Sequence, residues 1–159
     1  MNTKRIIGII LFLFVVVVGY SQEKPRKQLR AESKIEKGKQ ISVLVAAKEF
    51  VFVANRAFPQ GFRSIDLTTN TNFIEFKPDF IKSEMPFFGR GFNGIGFGGD
   101  KGLKFEGKPS EFSIVKTKKT YELNATVRGE GDVFRITLSI LFEGSATLSI
   151  ISNNRSAIT

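Results

Sequence analysis

Apolar residues along this chain of 159 residues fall into three regimes. The first is Ile6 to Val18, apolar throughout apart from Gly8. Lys4 and Arg5 precede it, and Gly19, Tyr20, Ser21 and the polar Gln22-Glu-Lys24 follow it. A positive start, a short apolar core and small residues ahead of a polar stretch make up a secretory signal. Such a run rises only about 20 Å as a helix, against roughly 30 Å for a bilayer core. Cleavage is therefore expected after Ser21, an uncleaved anchor being the alternative. The chain has no Cys, so a thioether-linked lipid is excluded. The product is expected to be exported and periplasmic or envelope-associated, and not a lipoprotein.

The second regime has helical spacing. Residues 22–32 are polar and charged and read as a basic mobile leader. Ser33-Lys-Ile-Glu36 has the form of a capping box, in which the Ser hydroxyl and the Glu carboxylate satisfy free amides at a helix start. The spacing predicts a helix from about Lys34 to Glu49, with Ile41, Leu44, Val45 and the Lys48 stem on one face and Ile35 off it. Gly38 weakens that helix.

From Phe50 onward the period is two. Phe50 to Ala54 is apolar on both faces and reads as a central strand. Arg63–Thr68, Asn72–Lys77, Leu103–Phe105 and Glu111–Thr117 are further strands. Tyr121, Leu123, Ala125 and Val127 alternate with polar residues up to the turn Gly129-Glu-Gly-Asp132. Phe134, Ile136, Leu138, Ile140 and Phe142 continue the alternation to Glu143-Gly144, and Ala146, Leu148 and Ile150 lead the last strand. Glycine supplies the positive φ angles of tight hairpins, so this end is an antiparallel meander. The fold class expected is mainly β, an antiparallel sandwich or partly open barrel of about seven to nine strands with one N-terminal helix. Residues 33–159 then form a single helix-plus-β domain behind a signal at 1–21 and the leader at 22–32.

Charge changes the picture little. Without the signal, 22 basic residues face 15 acidic ones. Seven of the basic residues lie in 23–40 beside three acidic ones, which leaves the β region near +3. The leader is either a solvated helix approach or a weak strap onto an anionic membrane surface. Export leaves nucleic acid out as a partner.

The chain also has no His. That removes the commonest general base and the commonest transition-metal ligand. With Cys absent too, a typical zinc site and the Ser–His or Cys–His nucleophile systems cannot be built. No cofactor and no metal are expected. Ser113-Ile-Val-Lys116 has the spacing of serine–lysine acyl enzymes, but in a strand those positions face opposite ways. Asp66 with Glu75, or Asp79 with Glu84, are the available carboxylate pairs. Gly89-Arg-Gly-Phe-Asn-Gly94 fits a dinucleotide fingerprint literally, yet Ile95-Gly-Phe-Gly-Gly-Asp-Lys-Gly102 after it cannot open the helix that the phosphate contact requires. The same Gly-rich loop carries Phe92 and Phe97, behind an exposed-looking Met85-Pro-Phe-Phe88. Phe87, Phe88, Phe92 and Phe97 are either an interaction loop or a plug at one end of the β structure. Beyond the signal there are fifteen Phe, one Tyr and no Trp, which favours core packing over a half-wet binding platform.

Several segments are distinctive together: Glu49-Phe-Val-Phe-Val-Ala-Asn-Arg56, Arg63-Ser-Ile-Asp-Leu67, Met85-Pro-Phe-Phe-Gly-Arg90, Leu103-Lys-Phe-Glu-Gly-Lys-Pro109 and Ser152-Asn-Asn-Arg-Ser156. With them the chain resembles the domain of unknown function 4251 family, small exported proteins of Gram-negative bacteria, over about residues 30–158. The resemblance implies an envelope protein without assigned activity and carries no catalytic residues. Members often continue past the Asn-Asn-Arg-Ser segment, so the last strand is expected to be less complete.

The expected function is a non-enzymatic periplasmic binding or interaction module. Its candidate ligand-binding residues are the polar groups at strand ends: Asn55, Arg56, Arg63, Asp66, Arg90, Asp100, Lys101, Asn153, Asn154 and Arg155. Arginine forks among them suit an anionic small ligand. One alternative is a structural envelope component that meets another protein through the Gly/Phe loop or a sheet edge. A carboxylate-based enzyme is the other.

Overall fold

The computed structural model describes residues 25–59, 61, 63–88, 102–129, 131–157 and 159. The signal expected at 1–21 lies outside the described residues. The chain divides into two units, residues 1–36 and 37–159.

Helix α1 runs from Arg26 to Ala47. It starts eight residues before the position that its apolar spacing predicts. The Pro25 carbonyl accepts the first helical bonds, from the amides of Gln28 (2.7 Å) and Leu29 (3.3 Å). Arg26-Lys-Gln-Leu-Arg-Ala-Glu32 consists of strong helix formers, so propensity extends the helix where no apolar stripe marks it. The supposed capping box at Ser33 is therefore interior to the helix. In the second unit Val45 is buried and Ile41 half-buried. Leu44 is 44% exposed, a correction to the predicted face. Lys48 ends the helix at φ 59°, in the left-handed conformation of a C-terminal cap. Its ammonium lies 5.6 Å from the Phe112 ring centroid.

Ten strands follow. They are β1 (Phe50–Val53), β2 (Arg56–Ala57), β3 (Ile65–Asp66), β4 (Phe73–Lys77), β5 (Phe80–Met85), β6 (Leu103–Gly107), β7 (Pro109–Lys116), β8 (Thr120–Gly129), β9 (Asp132–Leu141) and β10 (Ala146–Ser152). They make a four-stranded sheet ordered β1-β4-β5-β6, a second ordered β10-β9-β8-β7, and the two-stranded ribbon β2-β3. All pairings are antiparallel. The architecture is the mainly β, antiparallel one that the alternation implies, and among the described residues the sheets do not close into a barrel.

Inner positions of both sheets share one core. Ile74, Phe76 and Ile81 of the first sheet and Leu123, Val127, Ile136 and Leu138 of the second are almost fully buried. Phe105 and Phe134 stack across the interface with ring centroids 4.2 Å apart. At this side only Lys108 separates β6 from β7, so the chain turns directly from one sheet into the other.

The outer faces differ. Glu75, Lys82 and Glu106 lie opposite one another across the first sheet. Lys77 pairs with Glu75 at 2.8 Å and Lys82 with Glu84 at 3.1 Å. Hydrogen bonds to those carboxylates, then their charge, raise both lysine pKa values. Across the second sheet the matching row is Ser113, Asn124, Thr137 and Ser149, with Thr137 Oγ1 donating to Asn124 Oδ1 at 3.1 Å.

Other strand expectations need correction. Strand β1 is an edge strand, not a central one, and Val51 and Val53 are exposed on its outer side. Apolar β-branched residues suit a pleated backbone even where one face is wet. Only Ile65–Asp66 of the expected 63–68 strand is paired. The sequence pattern missed β5 because its central inward position is Ser83, a buried hydroxyl that donates to the Leu103 carbonyl at 2.8 Å. Met85 is buried, and Phe87 and Phe88 pack against the core rather than standing clear of it. Phe92 and Phe97 lie outside the described residues.

Candidate functional site

Opposite the β6/β7 side, the sheets end in β1 and β10. The ladders do not join these strands to each other. Between them is a cleft of about 710 Å³. Phe52, Ala57, Leu67, Leu103, Leu148 and Ile150 contribute its apolar lining. Lys37, Gln40, Asn55, Arg56, Glu143 and Thr147 line it too, and each of these is exposed, so they form a polar rim. The rim draws on the second half of α1, the start of the β2-β3 ribbon with the residue before it, the β9–β10 turn and the start of β10. Gly144 shapes that turn with φ +100°, and Leu141 and Ser145 close it through a 2.8 Å backbone bond.

One buried side chain holds the β1 wall in place. Asn72 Nδ2 donates to the carbonyls of Leu67 (2.7 Å) and Asn70 (2.9 Å), and its Oδ1 accepts from the Ala54 amide (2.8 Å). Three backbone groups of an irregular segment are thereby satisfied away from water. Nothing in the periodicity singles Asn72 out, because its partners are backbone atoms brought near by the turn.

The candidate residues divide among several places. Asn55 and Arg56 line the cleft. Asp66 lies opposite Arg56 on the ribbon. Its carboxylate accepts from Thr68 Oγ1 at 2.5 Å and from the Thr68 amide at 2.9 Å. The hydroxyl bond first, then the amide bond, hold the Asp66 pKa below its ordinary value, and Arg56 adds a smaller effect in the same direction. Arg63 is exposed and does not line the cleft. Asn153 and Asn154 belong to a separate polar cluster at the β8–β9 turn. There Asp132 accepts from Ser152 Oγ (2.5 Å) and the Asn153 amide (3.1 Å), while Asn154 Nδ2 donates to the Gly131 carbonyl (2.9 Å). Arg155 donates to the Gly102 carbonyl and lies over Phe87, 5.4 Å from the ring centroid. Arg90, Asp100 and Lys101 lie outside the described residues.

The carboxylates considered for acid–base work have local partners. Besides Glu75 and Glu84, Asp79 faces Lys108 at 3.6 Å. Ser113 is on the outer face of β7, paired with Asn124, whereas the Lys116 ammonium sits 5.7 Å from the Tyr121 ring and 5.6 Å from that of Phe142. Among the described residues no group of three acidic side chains could hold a metal ion.

Comparison with known proteins agrees with this architecture. Residues 32–159 match the domain of unknown function DUF4251. The chain belongs to that family. A crystal structure of a DUF4251 family protein from Bacteroides eggerthii superposes with a TM-score of 0.59 at 21% identity, covering 77% of this chain and 82% of that one. At that identity the likeness shows a shared fold. None of the curated proteins matches the chain.

Proposed function

We propose that the processed chain is an exported, non-enzymatic binding module of the cell envelope, and that its ligand enters the cleft between β1 and β10. The observation that carries the binding site is the cleft itself: roughly 300–1,000 Å³ is the usual size of a small-molecule site, and this one has an apolar floor under a polar rim. Export rests on the N-terminal pattern of charge, apolar core and small residues. The lack of His and Cys supports a non-catalytic role, since the side chains that most often carry proton transfer and nucleophilic attack are missing.

Titration of the purified protein with N-phenyl-1-naphthylamine, a neutral dye that brightens in apolar surroundings, tests the site. Saturable brightening is expected, lost when Leu148→Trp fills the cleft and kept when Thr137→Trp adds the same ring on the outer face of β9. Equal brightening in both variants would place the dye elsewhere and end this proposal. Export is tested separately, by N-terminal sequencing of protein recovered from the periplasmic fraction. Gln22 is the expected first residue.

A further inference from the structure

The rim of the cleft carries a charge pattern that narrows the ligand class. Lys37 comes from α1 and Arg56 from β2, and both are exposed. Neither makes an ion pair with a described residue. The carboxylate opposite Arg56 is Asp66; its Oδ1 accepts both Thr68 donors, and Arg56 acts on it through charge alone, the weakest of the effects that lower its pKa. Glu143 is the acidic side chain among the rim residues and has an interaction of its own. Below the rim the lining is aliphatic and phenyl, with no buried charge among the described residues.

We infer that the cleft takes a single-chain amphiphile with an anionic head, its chain against Phe52, Leu103 and Leu148 and its head at Arg56 and Lys37. This inference rests on the binding site proposed above and adds the chemistry of its ligand. An anion at the rim gains a guanidinium fork and an ammonium while staying partly hydrated, so it avoids the cost of a buried charge. A neutral head forgoes that attraction, and a cationic head meets repulsion from both side chains. A chain deeper in the cleft exchanges water for apolar wall. Each buried methylene should tighten binding about fourfold, the equivalent of roughly 0.8 kcal/mol.

Displacement of bound N-phenyl-1-naphthylamine tests this, with every competitor kept below its micelle concentration. The probes are decanoate, dodecanoate, dodecyl phosphate, dodecanol and dodecyltrimethylammonium. Dodecanoate and dodecyl phosphate are expected to compete at least tenfold better than dodecanol, and the trimethylammonium compound worst. Dodecanoate should exceed decanoate by about one order of magnitude. The double variant Lys37→Gln, Arg56→Gln should bring the anions down to the alcohol when each is read relative to dodecanol on the same variant, whereas Arg63→Gln should keep the parent's ranking. Rising salt should shrink the advantage of the anions. Preference for phosphate over carboxylate, or the reverse, identifies the head.

Equal competition by anion, alcohol and cation would overturn the inference and leave the cleft as a site for neutral apolar ligands. If the dye never binds and the protein sediments as a dimer, a second copy fills the cleft, and both this inference and the proposed function fall.

Discussion

The two sides of the sandwich follow the same alternation of inward and outward residues and reach opposite results. On the β6/β7 side the chain turns from one sheet to the other across a single residue. The inner faces meet there, and the stacked Phe105 and Phe134 rings leave no room between them. On the β1/β10 side no one-residue turn joins the sheets among the described residues, and the segments beyond β2 and β10 meet where the Phe58 amide donates to the Thr159 carbonyl at 2.6 Å. Leu148 and Ile150 face inward like their counterparts, yet they border a cleft of about 710 Å³. Alternation selects which face is apolar. Connectivity decides whether that face meets another face or becomes the wall of a cavity.

The largest expected effect is on the closed side. Phe134→Ala removes a ring that nothing can replace, and should cost about 3–5 kcal/mol in urea unfolding. Leu148→Ala, at a wall already bordering space, should cost about 2 kcal/mol or less, at the low end for a core leucine. Equal losses would mean that the cleft is as tightly filled as the core.

Gly102→Ala should be the next most harmful. Gly102 has φ +55°, and an added Cβ would lie 2.4 Å from the Met85 carbonyl oxygen. Backbone strain of this kind costs about 1–3 kcal/mol. A melting temperature equal to that of the unmodified protein would contradict the packing of β6 beside the end of β5.

Asn72→Ala tests the open side. Loss of its three bonds leaves the Ala54 amide without its side-chain acceptor, while the Leu67 carbonyl keeps the Asn70 amide as donor, for about 1–3 kcal/mol. Hydrogen exchange should quicken at Ala54 and stay unchanged at Leu123, deep in the closed side.

Ala146→Leu should matter least to stability. Overpacking a filled core typically costs about 1–3 kcal/mol, but Ala146 faces the cleft, and less than about 1 kcal/mol is expected. Dye affinity should nevertheless fall, and unaltered affinity would separate the dye site from the cleft.

A smaller change is expected in acid. The folded state holds the Asp66 carboxyl below its ordinary pKa of 3.8 through Thr68. A depressed carboxylate stabilises the fold above the unfolded pKa, and that contribution is lost as pH falls through the folded value. The stability gap between the parent and Asp66→Asn should therefore narrow as pH drops below about 4. A constant gap would show that the carboxylate charge contributes nothing.

Most of the fold was legible because burial on one face imposes a period of two. The meander from Tyr121 to Ile150 follows that rule and lies where the alternation places it. Legibility failed where other forces acted. Helix propensity carried α1 back to Arg26 without an apolar stripe. A single hydrogen-bonded Ser83 hid β5. The exposed Val51 and Val53 made an edge strand look central. Of the candidate site only Asn55 and Arg56 could be named in advance as lining the cleft, since polarity at strand ends does not say which ends meet. Phe52, Leu103 and Leu148 read in the sequence as core residues like any others.

By itself the sequence determined the mainly β class, the hairpins of the C-terminal half and the absence of His and Cys chemistry. These follow from local rules: alternation, turn residues and the presence or absence of side-chain types. Only the tertiary structure decided that β1 and β10 are the facing edges of two sheets, that Asn72 ties down one of them, and that Lys37 and Arg56 share a rim. Those relations join residues as far apart as 37 and 148. They depend on how the sheets are connected and ordered, which a pattern repeating every two residues does not encode.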